Sequence, residues 1–368
     1  MLLWSVAVMV APLSPFIPSH SPISKYKTNI TQPNPLAQDM MWGIECADCT
    51  KWNMTIGDQG LVIDSDDYPH ITYVGDQVYY ARFDGTAWQI EIIDDPPGTI
   101  YDFTQGPASI VLDEDDNPHI SYLNIDSTSV LYAYNTGSGW ISEIVETAAP
   151  GDRIWYDTAI ALDQSGKPHL CFSNEGVLRY AKWTGTSWHI ETVDSGPWIE
   201  MYYSMVLDSS DHAHISYFAA DQVNPGFLKY AYWNGSYWEI SEVDRNDGYL
   251  GEFNSIALDN SGTPHISYLE YEEGKLNHAT LASSGWDIQS VDTARWWGGF
   301  TSIKMDSSNN PHISYTDRDD ARYAYWSGST WITDTLDSRA WYTAIGLDNS
   351  DDPHLAYFNL NTRYIDHA

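Results

Sequence analysis

Along most of the chain, runs of four to seven residues alternate apolar and polar side chains with a period of two. Clusters of Asp, Gly, Asn, Ser and Pro separate them. Such runs predict short strands joined by tight turns. No stretch repeats its apolar residues at helical spacing over a helix's length. In one representative stretch the runs are 157–162, 169–173, 177–183 and 188–193, and Asp163-Gln-Ser-Gly-Lys-Pro168 and Thr184-Gly-Thr-Ser187 fall between the members of each pair. An Asp side chain holds such a turn by accepting from backbone two residues on, and Gly supplies positive φ.

The same four-strand pattern recurs seven times. Pro-His-Ile-Ser-Tyr or a close variant places His70, His119, His169, His214, His265, His312 and His354, each six residues after an Asp: Asp64, Asp113, Asp163, Asp208, Asp259, Asp306 and Asp348. A second anchor ends at Ala81, Ala133, Ala181, Ala231, Ala279, Ala324 and Ala368, and a Trp follows the first six of these by seven residues. A four-stranded antiparallel unit repeated every ~40–50 residues predicts an all-β fold, a seven-bladed β-propeller. The last copy stops at Ala368 without its fourth strand, whereas Trp42-Gly-Ile-Glu-Cys-Ala-Asp48 matches Trp188-His-Ile-Glu-Thr-Val-Asp194 in register. Residues 42–48 are therefore expected to supply the outer strand of blade seven. The domain division this implies is an apolar and Pro/Ser/Asn-rich segment over 1–39 and the propeller over 40–368.

Spacing separates two faces. Asp-to-His and Ala-to-Trp intervals never change, while His-to-Ala intervals range from 11 to 17 and Trp-to-Asp intervals from 17 to 25. Alternate turns of an antiparallel blade lie at opposite ends, so the variable loops share one face, where binding is expected. Four of the nine Arg fall in the between-blade loops of that face, beside aromatic residues. The candidate ligand-binding residues are Trp52, Arg153, Trp155, Trp198, Arg245, Arg295, Trp297, Arg339 and Trp341. Aromatic rings stack on the apolar faces of sugars, and Arg grips a carboxylate at two points. The competing reading wedges these rings between blades and pairs each Arg with a nearby Asp. The seven equivalent His read as scaffold, each bonded to its turn Asp or a backbone carbonyl, and the blade Trp residues read as core.

Composition narrows the partners. Seventeen Lys and Arg against 51 Asp and Glu give a formal charge of −34, which repels nucleic acid and suits a secreted protein or a high-salt setting. Three cysteines make no disulfide framework; Cys46 and Cys49 read as thiols or a local bridge, and Cys171 as a small apolar residue. The N-terminal apolar run is too short to span a bilayer and resembles a secretory signal without its basic start. A monomer, secreted or at the cell surface, is expected. Alternating acids at Asp64, Asp66, Asp113 and Asp115 admit calcium, against the simpler reading of Asx turns, and no other cofactor is expected.

The blade pattern, Leu-Asp-x-Ser-Gly-x-Pro-His-Ile-Ser-Tyr followed by Leu-x-Tyr-Ala-x-Trp-x-Gly-x-x-Trp-x-Ile-x-x-Val-Asp, resembles repeats of secreted bacterial and archaeal propellers of the sialidase-like and fucose-lectin-like group. The resemblance covers residues 42–368 and implies the propeller. No blade reproduces the sialidase box Ser-x-Asp-x-Gly-x-Thr-Trp, so no catalytic residue is carried over. Fucose-binding propellers use pockets between blades lined with Trp, Arg and Glu, and such residue types stand near Arg295, Trp297, Arg339 and Trp341. The expected function is non-catalytic binding of a glycan or other extracellular ligand. The alternatives are a glycoside hydrolase or lyase, which needs two carboxylates roughly 5–10 Å apart among Asp102, Asp157, Glu200 and Glu252, and a protein-interaction scaffold.

Overall fold

The computed structural model describes residues 42–50, 54–94, 107–124, 128–150, 154, 157–196, 198–199, 201–221, 226–246, 249–294, 300–318 and 320–368. The chain divides into a unit of Met1–Met40, outside the described residues, and a unit of Met41–Ala368. The second unit contains seven four-stranded antiparallel sheets, each in simple sequential order except the last. Blade 1, for example, runs Leu61–Ile63, Pro69–Val74, Val78–Phe83 and Trp88–Asp94. The first strands of successive blades contact one another in a closed circle. They line the axis, and the Trp-led fourth strands form the rim. Among the described residues no helix is long and apolar enough to cross a membrane.

Closure follows the expected swap of termini. Glu45–Asp48 pairs antiparallel with Tyr364–His367, the third strand of blade 7, with Glu45 opposite His367. Trp42 sits just ahead of it, its indole edge-on to Tyr323 in blade 6. Cys46 and Cys49 are joined in a disulfide that spans the end of this strand. Cys171 is a buried free thiol.

Three belts of hydrogen bonds run along most of the seams, and each uses one repeated position. At the rim, the Trp heading a fourth strand donates its indole N–H to the residue three places after the preceding blade's Trp, except Trp188, whose indole N–H is buried without a partner. The pairs are Trp42–Asp334, Trp88–Glu45, Trp140–Glu91, Trp238–Glu191, Trp286–Ser241 and Trp331–Gln289. These Trp residues are thus half-buried seam contacts as well as packing for the core. Towards the variable-loop face, Tyr hydroxyls of second strands donate to the Asp ending the preceding fourth strand. Tyr73–Asp48, Tyr217–Asp194, Tyr268–Asp244, Tyr315–Asp292 and Tyr357–Asp337 are of this kind.

The third belt joins the constant turns of the opposite face. The backbone N–H following each turn Asp donates to the left-handed residue of the next blade's turn, as in Ser65–Asp116, Gln164–Asp211, Asn260–Asn309, Ser307–Asp351 and Asn349–Asp67. Gly166 and Gly262 stand at that left-handed position in blades 3 and 5, so the turn belt has no side-chain acceptor at those two seams.

The repeated His residues behave as the repeat predicts. In each blade the Nε2 atom faces the turn Asp, from 3.0 Å at His70–Asp64 to 3.8 Å at His265–Asp259 and His354–Asp348. Nδ1 bonds a third-strand Tyr hydroxyl in blades 1, 2, 3, 4 and 6, and His278 or His367 in blades 5 and 7. Burial holds His214 near 4 and both His278 and His367 near 3. These imidazoles are neutral struts. The turn carboxylates of Asp64 and Asp113 accept backbone N–H groups of their own turns, Asp66 and Tyr68 in one and Asp115 and Asn117 in the other. Among the described residues no group of three or more His, Cys, Asp or Glu is arranged to hold a metal ion.

Two expectations follow. A chain lacking residues 1–48 leaves the edge of Tyr364–His367 unpaired, and size-exclusion chromatography should show self-association, because an open strand edge templates pairing with another chain. Gly262→Asn restores an acceptor at an open seam, where an added Cβ meets no atom within 4 Å. One neutral hydrogen bond of about 1 kcal/mol should raise Tm by about 1–2 °C in a scan; an unchanged or lowered Tm would show that the turn belt contributes nothing.

Candidate functional site

The first strands converge on the axis at the variable-loop face, and one position of the repeat lies at that mouth. It stands six residues before the turn Asp and is occupied, blade by blade, by Asp58, Pro107, Asp157, Tyr202, Phe253, Phe300 and Tyr342. Four consecutive blades thus supply aromatic rings and the other three supply Asp, Pro and Asp. The four rings touch in series, with centroids 4.2 Å apart for Tyr202–Phe253, 4.3 Å for Phe253–Phe300 and 4.2 Å for Phe300–Tyr342.

The backbone at all four aromatics is left-handed, with φ of 57°, 51°, 61° and 56°. Bulky side chains rarely adopt that conformation, and such strain clusters where function requires it. In blades 5 and 7 the residue sits in a bulge that shifts the pairing register, which is how a strand re-aims a side chain. The next residue in the repeat stitches the bulges together. Asn254 donates to the Tyr202 carbonyl at 2.8 Å, Thr301 to Phe253 at 2.8 Å and Thr343 to Phe300 at 2.9 Å. Three of the four strained carbonyls, those of Tyr202, Phe253 and Phe300, are therefore held by the following blade.

The axis below this mouth is closed by the turn Gly57-Asp58-Gln59-Gly60, in which the Gly60 N–H bonds the Gly57 carbonyl. A Cβ on Gly60 would fall 2.5 Å from the Ile56 side chain, so the turn requires glycine there. Gln59 reaches across the axis to the Met205 carbonyl of blade 4 at 2.7 Å and accepts from Ser109 of blade 2 at 3.0 Å. Ser302 of blade 6 donates to the Asp58 carbonyl at 2.5 Å. A channel that would otherwise run through the ring becomes a shallow cup whose enclosed volume is about 40 Å³. Asp58, Pro107, Asp157, Tyr202, Phe253 and Phe300 are among its walls.

Both carboxyl groups of the cup are held above the ordinary range. Desolvation pushes Asp58 up to about 6, opposed by hydrogen bonds from Ser204 and Ser255 and by the charge of Lys304. One of its oxygens, Oδ2, is buried without a hydrogen-bond partner. Desolvation pushes Asp157 up to about 7, opposed by the Tyr202 N–H at 2.9 Å and reinforced by the charge of Asp58. Lys304 stands two residues after Ser302 in the strand Ser302–Met305 and so on the same face of it. Its ammonium is held below the ordinary range by burial, offset in part by Asp58.

The residues expected from the loops are distributed differently. Trp198 stands on the rim, 53% exposed, with φ of 53°. Arg245 is engaged by Asp221 at 3.1 Å and Glu242 at 2.7 Å and lies over the Phe227 ring at 3.6 Å. Arg339 is exposed, and its carbonyl accepts from Leu360. Trp341 packs its half-buried indole against the core cluster of blades 7 and 1 and edge-on to Tyr342. Trp52, Arg153, Trp155, Arg295 and Trp297 lie outside the described residues, as do Asp102 and Glu200. Glu252 is pushed up to about 7 by burial and faces Tyr271, away from the cup's lining. Of the two expected carboxylates among the described residues, Asp157 lines the cup and Glu252 does not. Asp58 was legible too: it and Asp157 are the acidic residues at the sixth place before the turn Asp.

No protein-family model and no curated protein matches the sequence. Solved propellers do match the fold. An ulvan lyase of polysaccharide lyase family PL25, bound to a GlcA(1-4)Rha3S saccharide, superposes with a TM-score of 0.61 at 16% identity, over 86% of this chain and 94% of that one. The polysaccharide lyase Uly1 gives 0.56 at 10% identity over 84% and 89%. A mutant Aleuria aurantia lectin in complex with Fucalpha1-6GlcNAc gives 0.51 at 11% identity over 72% and 95%. At these identities the likeness is one of fold: this chain is a seven-bladed propeller whose structural neighbours include both lectins and polysaccharide lyases.

Asp157→Asn tests the electrostatics of the cup. An unfolded Asp ionises near 4, whereas Asp157 in the cup ionises near 7. Between those values the unfolded chain binds fewer protons than the folded one, so this group lowers stability as pH rises. The Asn variant should melt higher than the wild type above pH 7 and lose that advantage progressively down to pH 4. Equal melting temperatures at pH 8 would show that the carboxyl is well solvated.

Proposed function

We propose that this chain is an extracellular carbohydrate-binding propeller that holds one sugar residue over the mouth of the axial cup and steadies the adjoining saccharide on exposed loop aromatics. The observation that carries the reading is the arc of Tyr202, Phe253 and Phe300 lining the cup together with Asp58 and Asp157, continued by Tyr342 against Phe300. Sugars present apolar C–H faces to aromatic rings and hydroxyl donors to carboxylates. The cup encloses only about 40 Å³, room for one substituent of a sugar, so the ring itself would lie across the mouth. Backbone strain at all four aromatics supports a role beyond packing. Exposed Trp198 offers a stacking surface on the rim. The saccharide complexes of the ulvan lyase and the Aleuria aurantia lectin support the ligand class. The apolar N-terminal run and the Cys46–Cys49 disulfide support the extracellular setting.

A second reading rests on Asp58 and Asp157. Two coupled carboxyl groups ionising near 6 and 7 are suited to share acid and base roles in glycoside cleavage. Asp157 is one of the four loop-face carboxylates that the sequence offered for such chemistry, and Asp58 lines the same cup.

A glycan array followed by titration of the best hit should give binding that Phe253→Ala and Phe300→Ala each weaken by about tenfold or more, the size expected for losing one stacking ring, with near-ultraviolet circular dichroism unchanged. Full affinity in both variants would place the ligand elsewhere. Release of reducing ends from the same hit, lost in Asp157→Asn while binding persists, would establish the catalytic reading instead.

A further inference from the structure

We infer that the axial cup selects a protonated amino group, carried on an amino-sugar residue of the glycan. This rests on the reading of the cup as a sugar site and adds the charge its ligand must bear.

The argument begins with the ring of aromatics. Tyr202, Phe253, Phe300 and Tyr342 curve through four blades and are tilted by 47–55° to one another. Aromatic rings lining a concavity favour an organic cation through their electron-rich faces. The remaining arc holds Asp58, Pro107 and Asp157. Aromatic faces and two carboxylates together favour a cation and penalise an anion.

The hydrogen bonds of Asp58 point the same way. Ser204 and Ser255 bond its carboxyl, yet Oδ2 is buried without a partner. An unpaired buried acceptor is costly, and an ammonium donor would satisfy it. Charge closes the account. Asp58 and Asp157 contribute two negative charges when ionised and Lys304 one positive. A ligand bearing a single positive charge brings the axis to neutrality. A uronic acid would leave three negative charges against one positive.

The groups facing the two carboxyls define the pH dependence. They are Lys304 from the blade 6 strand, the Tyr203 phenol and Cys171 thiol from blades 4 and 3, and Tyr342 from blade 7. Burial raises both phenols and the thiol, and Tyr342 stands at about 12, so none of the three ionises between pH 5 and 8. Binding of an ammonium therefore follows the two Asp and should fade as pH falls from 7 to 5.

Isothermal titration of the full chain at pH 7.5 with glucosamine, N-acetylglucosamine, glucose and choline tests the inference. Glucosamine should bind at least tenfold more tightly than the two neutral sugars, and Asp157→Asn should remove that preference. Lys304→Met should tighten glucosamine binding, an outcome a purely structural role would not produce. Choline binding tighter than glucosamine would support the ammonium site while assigning its source to a small quaternary amine. Neutral sugars that bind as well as glucosamine would overturn the charge selection and leave the glycan reading standing. No binding by any of the four, with array hits insensitive to Phe253→Ala and Phe300→Ala, would overturn both.

Discussion

Everything in this molecule depends on closing a ring with a chain that has two ends. Seven sheets can each bury their faces only against a neighbour, and the circle is complete only when Glu45–Asp48 pairs with Tyr364–His367. Once closed, every seam presents the same positions to one another. The three belts of hydrogen bonds, Trp at the rim, Tyr towards the variable-loop face and turn Asp or Asn on the opposite face, are consequences of that equivalence. A residue type repeated seven times is thereby assigned to the scaffold, as the paired His and Asp show.

Closure also creates the problem that the functional site solves. Seven inner strands leave an axis lined by short side chains: Gly60, Ser109, Ala159, Ser204, Ser255, Ser302 and Ala344 occupy the fourth place before the turn Asp. The gap is filled by a turn from blade 1 whose Gln59 spans to blade 4. At the mouth, large rings sit at positive φ, and the following blade's Asn or Thr holds the carbonyls of Tyr202, Phe253 and Phe300. The strain is stable because it is bonded from outside the strand that bears it.

Electrostatics then separates the cup from the rest of a very acidic surface. The turn acids accept backbone donors of their own turns. Asp58 and Asp157 instead share a desolvated hollow, and both ionise above the ordinary carboxylate range. The buried imidazoles of His70, His169 and His214 run the other way, since burial lowers them and favours the neutral form. Protonation at the axis is therefore tied to ligand chemistry, and protonation at the turns to integrity of the blades.

The blade count, the order of strands in each sheet, the swap of termini and the identity of the variable-loop face were all legible in the sequence. They follow from local periodicity and constant turn spacing, which are properties of short segments. The scaffold role of the His was legible for the same reason, because seven equivalents cannot form one site. The cup was not read, although its signal was present at a single repeat position: Asp58, Pro107 and Asp157 on one arc, and Tyr202, Phe253, Phe300 and Tyr342 on the other. Loop composition drew attention to Arg245, which tertiary contacts commit to Asp221, Glu242 and Phe227. Asp58 and Asp157 lie about 100 residues apart in the chain. Sequence determines which side of a strand a residue takes, but only the closed ring brings the same side of seven strands to one axis, and only there do burial and mutual charge act on the two acids.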